Sequence, residues 1–168
     1  VLLTELHWVP VAHAGRLAVS ARPRGGDWLD DELSAWRAAG VDVVVSLLEL
    51  EEEAELQLAS EGAFAAANEI EFRRFPITDR AVPESREVFA QLVAALAVEI
   101  LEGKSVAVHC RQGIGRAATL AVAILVRLGS QLERAIATVS AARGRDVPET
   151  PEQLAFLSAF AEQAEPLD

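Results

Sequence analysis

Residues 105–128 constrain the fold more than any other stretch of this chain. Ser105-Val106-Ala107-Val108-His109 is short, apolar and β-branched, as a buried strand is. It runs through a glycine-containing turn into an apolar segment, Arg116 to Leu128, that has helical character and stops at Gly129. The same rhythm recurs upstream. Leu17–Ser20 and Val41–Leu48 read as strands, and Glu71–Phe75 as a weaker third. Between the first two, Leu29, Leu33 and Trp36 recur at helical spacing within Trp28–Ala39, and Gly40 supplies the stop.

Further helices complete the pattern. Glu49–Ala67 is acidic and alanine-rich and is predicted as one helix, with Glu49–Glu55 as a solvated face. Pro83 opens another near Glu84 that runs through Phe89, Val93, Leu96 and Ile100 to Gly103. Ser130 with Glu133, and Thr150 with Gln153, have capping-box spacing for the last two helices. Strands alternating with helices imply an α/β fold, a central and mostly parallel sheet of about four to five strands flanked by helices. At 168 residues the chain is expected to form a single domain, residues 1–168.

Composition narrows the function classes. The one cysteine, Cys110, cannot close an internal disulfide or build a thiolate zinc site. His7 and His13 lack ligand spacing with any acidic cluster, so no metal or other cofactor is expected. A net charge of −11 disfavours nucleic acid and anionic membranes as partners. The longest apolar stretch, Ala117–Val126, is about half of the roughly 20 residues a membrane span needs. A cytoplasmic location is the resulting expectation. The charge is uneven: residues 103–145 hold seven Lys and Arg against one Glu, net +6, which leaves −17 for the rest.

The chemistry lies in His109-Cys110-Arg111-Gln112-Gly113-Ile114-Gly115-Arg116, between the predicted strand and helix. A strand-to-helix turn exposes unpaired backbone N–H groups, and the helix dipole adds positive potential, so the place suits an oxyanion. Gly113 and Gly115 permit a curl that turns successive amides inward. Arg116 adds a planar fork for two phosphate oxygens. The same field favours the thiolate of a cysteine at its base. Read singly, Cys110 is also compatible with a buried structural thiol and Arg116 with a surface cation; the fixed spacing favours the anion site. Gly113-x-Gly115-x-x-Ala118 has dinucleotide-loop spacing too, but no second strand ending in an acid follows, and Glu133 belongs to a predicted cap.

These residues resemble in full the His-Cys-x5-Arg signature of the Cys-x5-Arg phosphatases. Its late position resembles the dual-specificity branch, and Phe75-Pro76-Ile77-Thr78-Asp79-Arg80-Ala81-Val82-Pro83 is similar to that branch's acid-bearing loop. Val44–Glu49 and Gly144–Gln153 are similar to segments of compact bacterial-type members, so the resemblance spans roughly residues 15–156.

The resemblance implies a dual-specificity-type, protein-tyrosine-phosphatase-like fold. It implies hydrolysis of phosphomonoesters through a phosphocysteine, with Cys110 as nucleophile, Asp79 as general acid, and Arg116 with the amides of Arg111, Gln112, Gly113, Ile114, Gly115 and Arg116 as the phosphate cradle. Asp79 alone would read as a turn residue. His109 either tunes the loop or is a satisfied core residue. Gln153 either orients the hydrolytic water or is only a cap. Expected partners are phosphorylated proteins, phosphotyrosine above phosphoserine and phosphothreonine, or a small phosphoester such as a phosphoinositide, with phosphate, sulfate and vanadate as inhibitory oxyanions. The family usually has Ser or Thr after the signature arginine to assist the departing thiolate; Ala117 stands there, which implies slow breakdown of the intermediate or, at the limit, a phosphate-binding module with little turnover.

Overall fold

A computed structural model describes residues 3–167. Five strands form one sheet: β1 (His7–Val9), β2 (Arg16–Ser20), β3 (Val43–Ser46), β4 (Glu71–Arg74) and β5 (Ser105–His109). Their order is β1-β2-β5-β3-β4, with β1 antiparallel to β2 and every other pair parallel. Seven α-helices join them: α1 (Leu29–Ala38), α2 (Leu50–Glu55), α3 (Glu61–Ala67), α4 (Arg86–Leu101), α5 (Arg116–Arg127), α6 (Leu132–Arg143) and α7 (Pro151–Gln163). The expected α/β architecture therefore stands.

β3 and β5 are buried along their whole length, and β2 beyond Arg16, because both sheet faces are covered there, whereas the edge strand β4 is charged and partly exposed. Side chains alternate between the faces. Leu17, Val19, Val43, Val45, Val106 and Val108 pack against α4, α5, α6 and α7. Ala18, Val44 and Ala107 face the other way, against Leu29, Leu33 and Trp36 of α1 and Ala65 of α3. α5 lies so deep that every residue from Arg116 to Val126 is buried, which accounts for its apolar sequence.

Three local expectations are corrected. Glu49–Ala67 is two helices, because Gln57 takes a left-handed conformation (φ 58°) and the chain reverses there. Leu58 N–H donates to Glu53 O at 2.7 Å and Gln57 N–H to Ala54 O at 3.3 Å, a Schellman end that sinks Leu58 into the core. No glycine marks this stop, so sequence reasoning missed it. Ser130 does not cap α6; Gln131 takes that position without a side-chain bond. Ser130 N–H closes the end of α5 on Leu125 O at 3.0 Å instead. α4 starts at Arg86 rather than near Glu84, with the Ser85 hydroxyl accepting from Val88 N–H. The Thr150–Gln153 capping box forms as predicted, and β1, only three residues long, carried no readable signal.

Candidate active site

β5 enters the sheet between β2 and β3, and its carboxyl end delivers Cys110 to the N-terminus of α5. Crevices at the carboxyl ends of parallel strands are where such sheets hold ligands. Gly113 is left-handed (φ 75°), and a Cβ there would stand 2.6 Å from Ser20 O. The turn thus presses on the end of β2 and admits only glycine. At Gly115 a Cβ would meet Glu149 Oε2 at 2.9 Å and Gln153 Nε2 at 3.1 Å.

The curl points amides at sulfur. Gly113 N–H donates to Cys110 Sγ at 3.3 Å and Ala117 N–H donates to it at 3.4 Å. Arg143, in the last turn of α6, grips the loop from outside, donating from Nε to Gly113 O and from Nη2 to Gln112 O, both at 3.0 Å. Carbonyls held outward leave the neighbouring N–H groups free to face inward. Burial and the nearby Arg145 charge pull the Arg143 pKa down, against the opposing pull of Cys110.

Arg116 is buried at the base of the same pocket. Its Nη1 donates to Glu52 Oε2 at 2.8 Å and to Ile77 O at 2.7 Å; its Nη2 donates to Glu52 Oε1 at 2.9 Å and to Asp79 Oδ1 at 3.0 Å. Burial opposes the charge on Arg116, yet the Glu52 hydrogen bonds and the charges of Cys110, Glu52 and Asp79 outweigh it and raise the pKa. Burial likewise works against ionised Glu52; the Arg116 bonds, the Glu49 N–H and Arg111 overcome it and hold its carboxyl below the usual range. Sequence reasoning missed Glu52 and placed Glu49–Glu55 on a solvated face. Glu52 and Glu53 are in fact buried, the second paired with Arg74 at 2.8 Å. The one available signal was that a buried Arg116 needs a carboxylate.

The remaining predicted residues converge unevenly. Asp79, Cys110, Arg111, Gln112, Ile114, Gly115 and Arg116 line one cavity of about 220 Å³, joined by Arg80 and Glu149. Asp79 is half-exposed, and the residue after it, Arg80, is left-handed (φ 63°). The Arg80 guanidinium pairs with Glu149, and the Thr78 hydroxyl donates to Glu49 Oε1 at 2.8 Å, so the Asp79 loop is tethered on both sides. Gln153 is buried beside Gly115; its Oε1 accepts Thr150 N–H at 3.2 Å and its Nε2 donates to Ala81 O at 3.2 Å. His109 points away from the cavity, into the core on the α1 and α3 side.

Folding offsets part of the local excess of positive charge at the cavity. Glu52, Glu55 and Asp79, all outside 103–145, come to its cations: Arg111 pairs with Glu52 and Glu55, Arg116 with Glu52 and Asp79. A larger groove of about 730 Å³ between residues 10–13 and the α5–α6 connection is lined by none of Asp79, Cys110 and Arg116. No helix among the described residues is long and apolar enough to cross a membrane.

Residues 19–130 match the family described as "Polymorphic toxin system, DSP-PTPase phosphatase". No curated relative matches the chain by sequence. Among solved structures, the active form of Tk-PTP is 31% identical, with 89% of this chain and 93% of that one covered at a TM-score of 0.73. Kinase associated phosphatase, carrying serine for its catalytic-site cysteine, superposes over 96% of each chain with a TM-score of 0.88 at 17% identity, which speaks to fold alone. Human DUSP28 shares the fold at 21% identity and a TM-score of 0.65, over 92% of this chain and 93% of its own.

Proposed function

The chain belongs to the DSP-PTPase phosphatase family of polymorphic toxin systems and is a protein-tyrosine/dual-specificity phosphatase; on that premise we propose that residues 1–168 act as one catalytic domain that hydrolyses phosphotyrosine, phosphoserine and phosphothreonine on proteins through a phosphocysteine. The observation that carries the reading is Cys110 Sγ receiving two backbone N–H groups at the start of α5, with Arg116 in the same cavity.

In the first step the Cys110 thiolate attacks phosphorus and an S–P bond forms as the P–O ester bond breaks. The loop amides from Arg111 to Arg116 and the Arg116 fork hold the three phosphoryl oxygens where charge gathers. The departing oxygen takes a proton from Asp79, a contribution typically of about 10²–10⁴-fold. Asp79 rests on Arg116 Nη2 at 3.0 Å without substrate. An arriving dianion competes for that donor and releases Asp79 to the ester oxygen. In the second step water attacks phosphorus, Asp79 takes its proton, and the thiolate leaves. Gln153 is held as a cap, buried beside Gly115 and bonded to Thr150 and Ala81. No metal or cofactor is required by this sequence of steps.

A second reading has one specific observation behind it. The cavity is lined by no aromatic side chain among the described residues, so it offers no stacking wall for a phenyl ring and leaves room for a compact phosphoester such as a phosphoinositide. Turnover of an aryl phosphate, phosphopeptides and a phosphoinositide by wild type, Cys110→Ser and Asp79→Asn, with and without vanadate, tests both. Cys110→Ser is expected to be inactive and Asp79→Asn to lose at least about 10²-fold. Activity that persists in Cys110→Ser refutes the phosphocysteine; tight binding without turnover in wild type would instead mark a phosphate-binding module.

A further inference from the structure

We infer that Glu61 is a positioning residue for the nucleophile, acting through His109 from the opposite face of the sheet; the inference rests on the phosphocysteine reading above. Glu61 is the first residue of α3, 48 positions before His109, and no motif in the sequence connects them. Both side chains are fully buried. His109 Nε2 lies 2.7 Å from Glu61 Oε2, and His109 Nδ1 lies 3.3 Å from the backbone oxygen of Cys110. The Trp36 ring packs beside the imidazole with centroids 6.2 Å apart.

The proton inventory follows from these contacts. Both ring nitrogens face oxygen, and a carbonyl can only accept, so the Cys110 contact requires a proton on Nδ1. Nε2 then either carries a second proton that it donates to the Glu61 carboxylate, or accepts one from the Glu61 carboxylic acid. In both arrangements Glu61 satisfies Nε2 and holds the ring so that Nδ1–H meets the Cys110 carbonyl; a ring with its single proton on Nε2 would set a bare Nδ1 lone pair against that carbonyl. The second carboxyl oxygen, Oε1, is buried without a partner among the described residues, so nothing else in the core claims this group. Arg74, whose charge is felt at Glu61 and which is itself bonded to Glu53, is the other charged group facing the pair.

The consequence reaches the cavity through one peptide. A trans peptide sets its C=O and N–H on opposite sides. Holding the Cys110 carbonyl toward His109 turns the following Arg111 N–H to the other side, toward the cavity that Arg111 lines. Glu61 thereby fixes the ring, the ring anchors a carbonyl, and the carbonyl aims an amide at the phosphate and the thiolate.

The test uses the whole chain as Glu61→Gln, Glu61→Leu, His109→Gln and the double variant Glu61→Leu with His109→Gln. Three readouts are taken: kcat and KM on an aryl phosphate, the pH dependence of Cys110 alkylation by iodoacetamide, and the nitrogen-15 shifts of the His109 ring. Wild type is expected to show a protonated Nδ1. Glu61→Leu is expected to lower kcat about tenfold with KM moved less than about threefold, and to shift the alkylation midpoint upward. Glu61→Gln, whose amide can donate to Nε2, is expected to keep Nδ1 protonated and to restore kcat to within about threefold of wild type. In the His109→Gln background, Glu61→Leu should add nothing.

An unprotonated Nδ1 in wild type overturns the inference even if every variant fails to fold. So does a Glu61→Leu protein that is less stable but keeps its kcat and alkylation profile, or a double variant in which the two losses add. Alkylation and ring shifts need no turnover. A wild type lacking Cys110-dependent hydrolysis therefore refutes the phosphocysteine while leaving this test standing.

Discussion

Replacing Glu52 by Gln tests whether Arg116 is held ready for phosphate or merely buried. Glu52 makes two parallel bonds to Arg116, at 2.8 and 2.9 Å, and both side chains are at least nine-tenths buried. Glutamine keeps the shape and one acceptor but gives up the charge and one bond. A hydrogen bond to a charged group contributes about 1.5–3 kcal/mol, so a loss of about 2 kcal/mol is expected near neutral pH. For a domain of this size that is roughly 4–8 °C in Tm. The effect depends on pH. The Glu52 carboxyl is held below its ordinary value, so at pH between the two values the unfolded chain binds the proton and the native one does not. Stability from Glu52 is complete above the ordinary carboxylate range and disappears as pH falls through the lowered native value. The gap between wild type and Glu52→Gln should therefore close in acid. Thermal melts from neutral to acidic pH, with vanadate affinity measured on the same proteins, provide the check. A Glu52→Gln protein as stable as wild type, with undiminished vanadate binding, would refute the view that this pair orients Arg116.

Two other substitutions probe the loop. Ala117→Ser supplies a hydroxyl where only the backbone N–H now reaches Cys110 Sγ. Wild type should release a burst of alcohol in pre-steady-state kinetics and then turn over more slowly; the serine variant should raise the slow rate, and an unchanged slow phase would sink the idea. Gly113→Ala sets a Cβ 2.6 Å from Ser20 O at a left-handed position. It should cost more than about 1 kcal/mol in denaturant melts and weaken phosphate binding, since the loop can relieve the clash only by losing its curl.

How much was legible follows from how local each feature is. The Cys110–Arg116 turn, the strand before it and the helix after it are contiguous, and glycine spacing and apolar patterning report directly on backbone geometry. The stop inside Glu49–Ala67 lacked glycine and was missed: Gln57 takes a left-handed conformation just past the end of α2. The acidic run at Glu49–Glu55 was misread because a carboxylate has the same sequence signature whether it meets water or a buried arginine.

By itself the sequence determined the α/β class and the glycine-containing turn between β5 and α5, because each depends on neighbours a few positions away; the family resemblance offered Cys110, Asp79 and Arg116 as nucleophile, acid and phosphate fork. Tertiary structure alone decided who holds those residues in place. Glu52 meets Arg116 across 64 positions, Glu61 meets His109 across 48, and Arg143 reaches Gly113 across 30. The insertion of β5 between β2 and β3 brings α2 and α3 beside the loop, and burial there compels each charge to find a partner that no local pattern names.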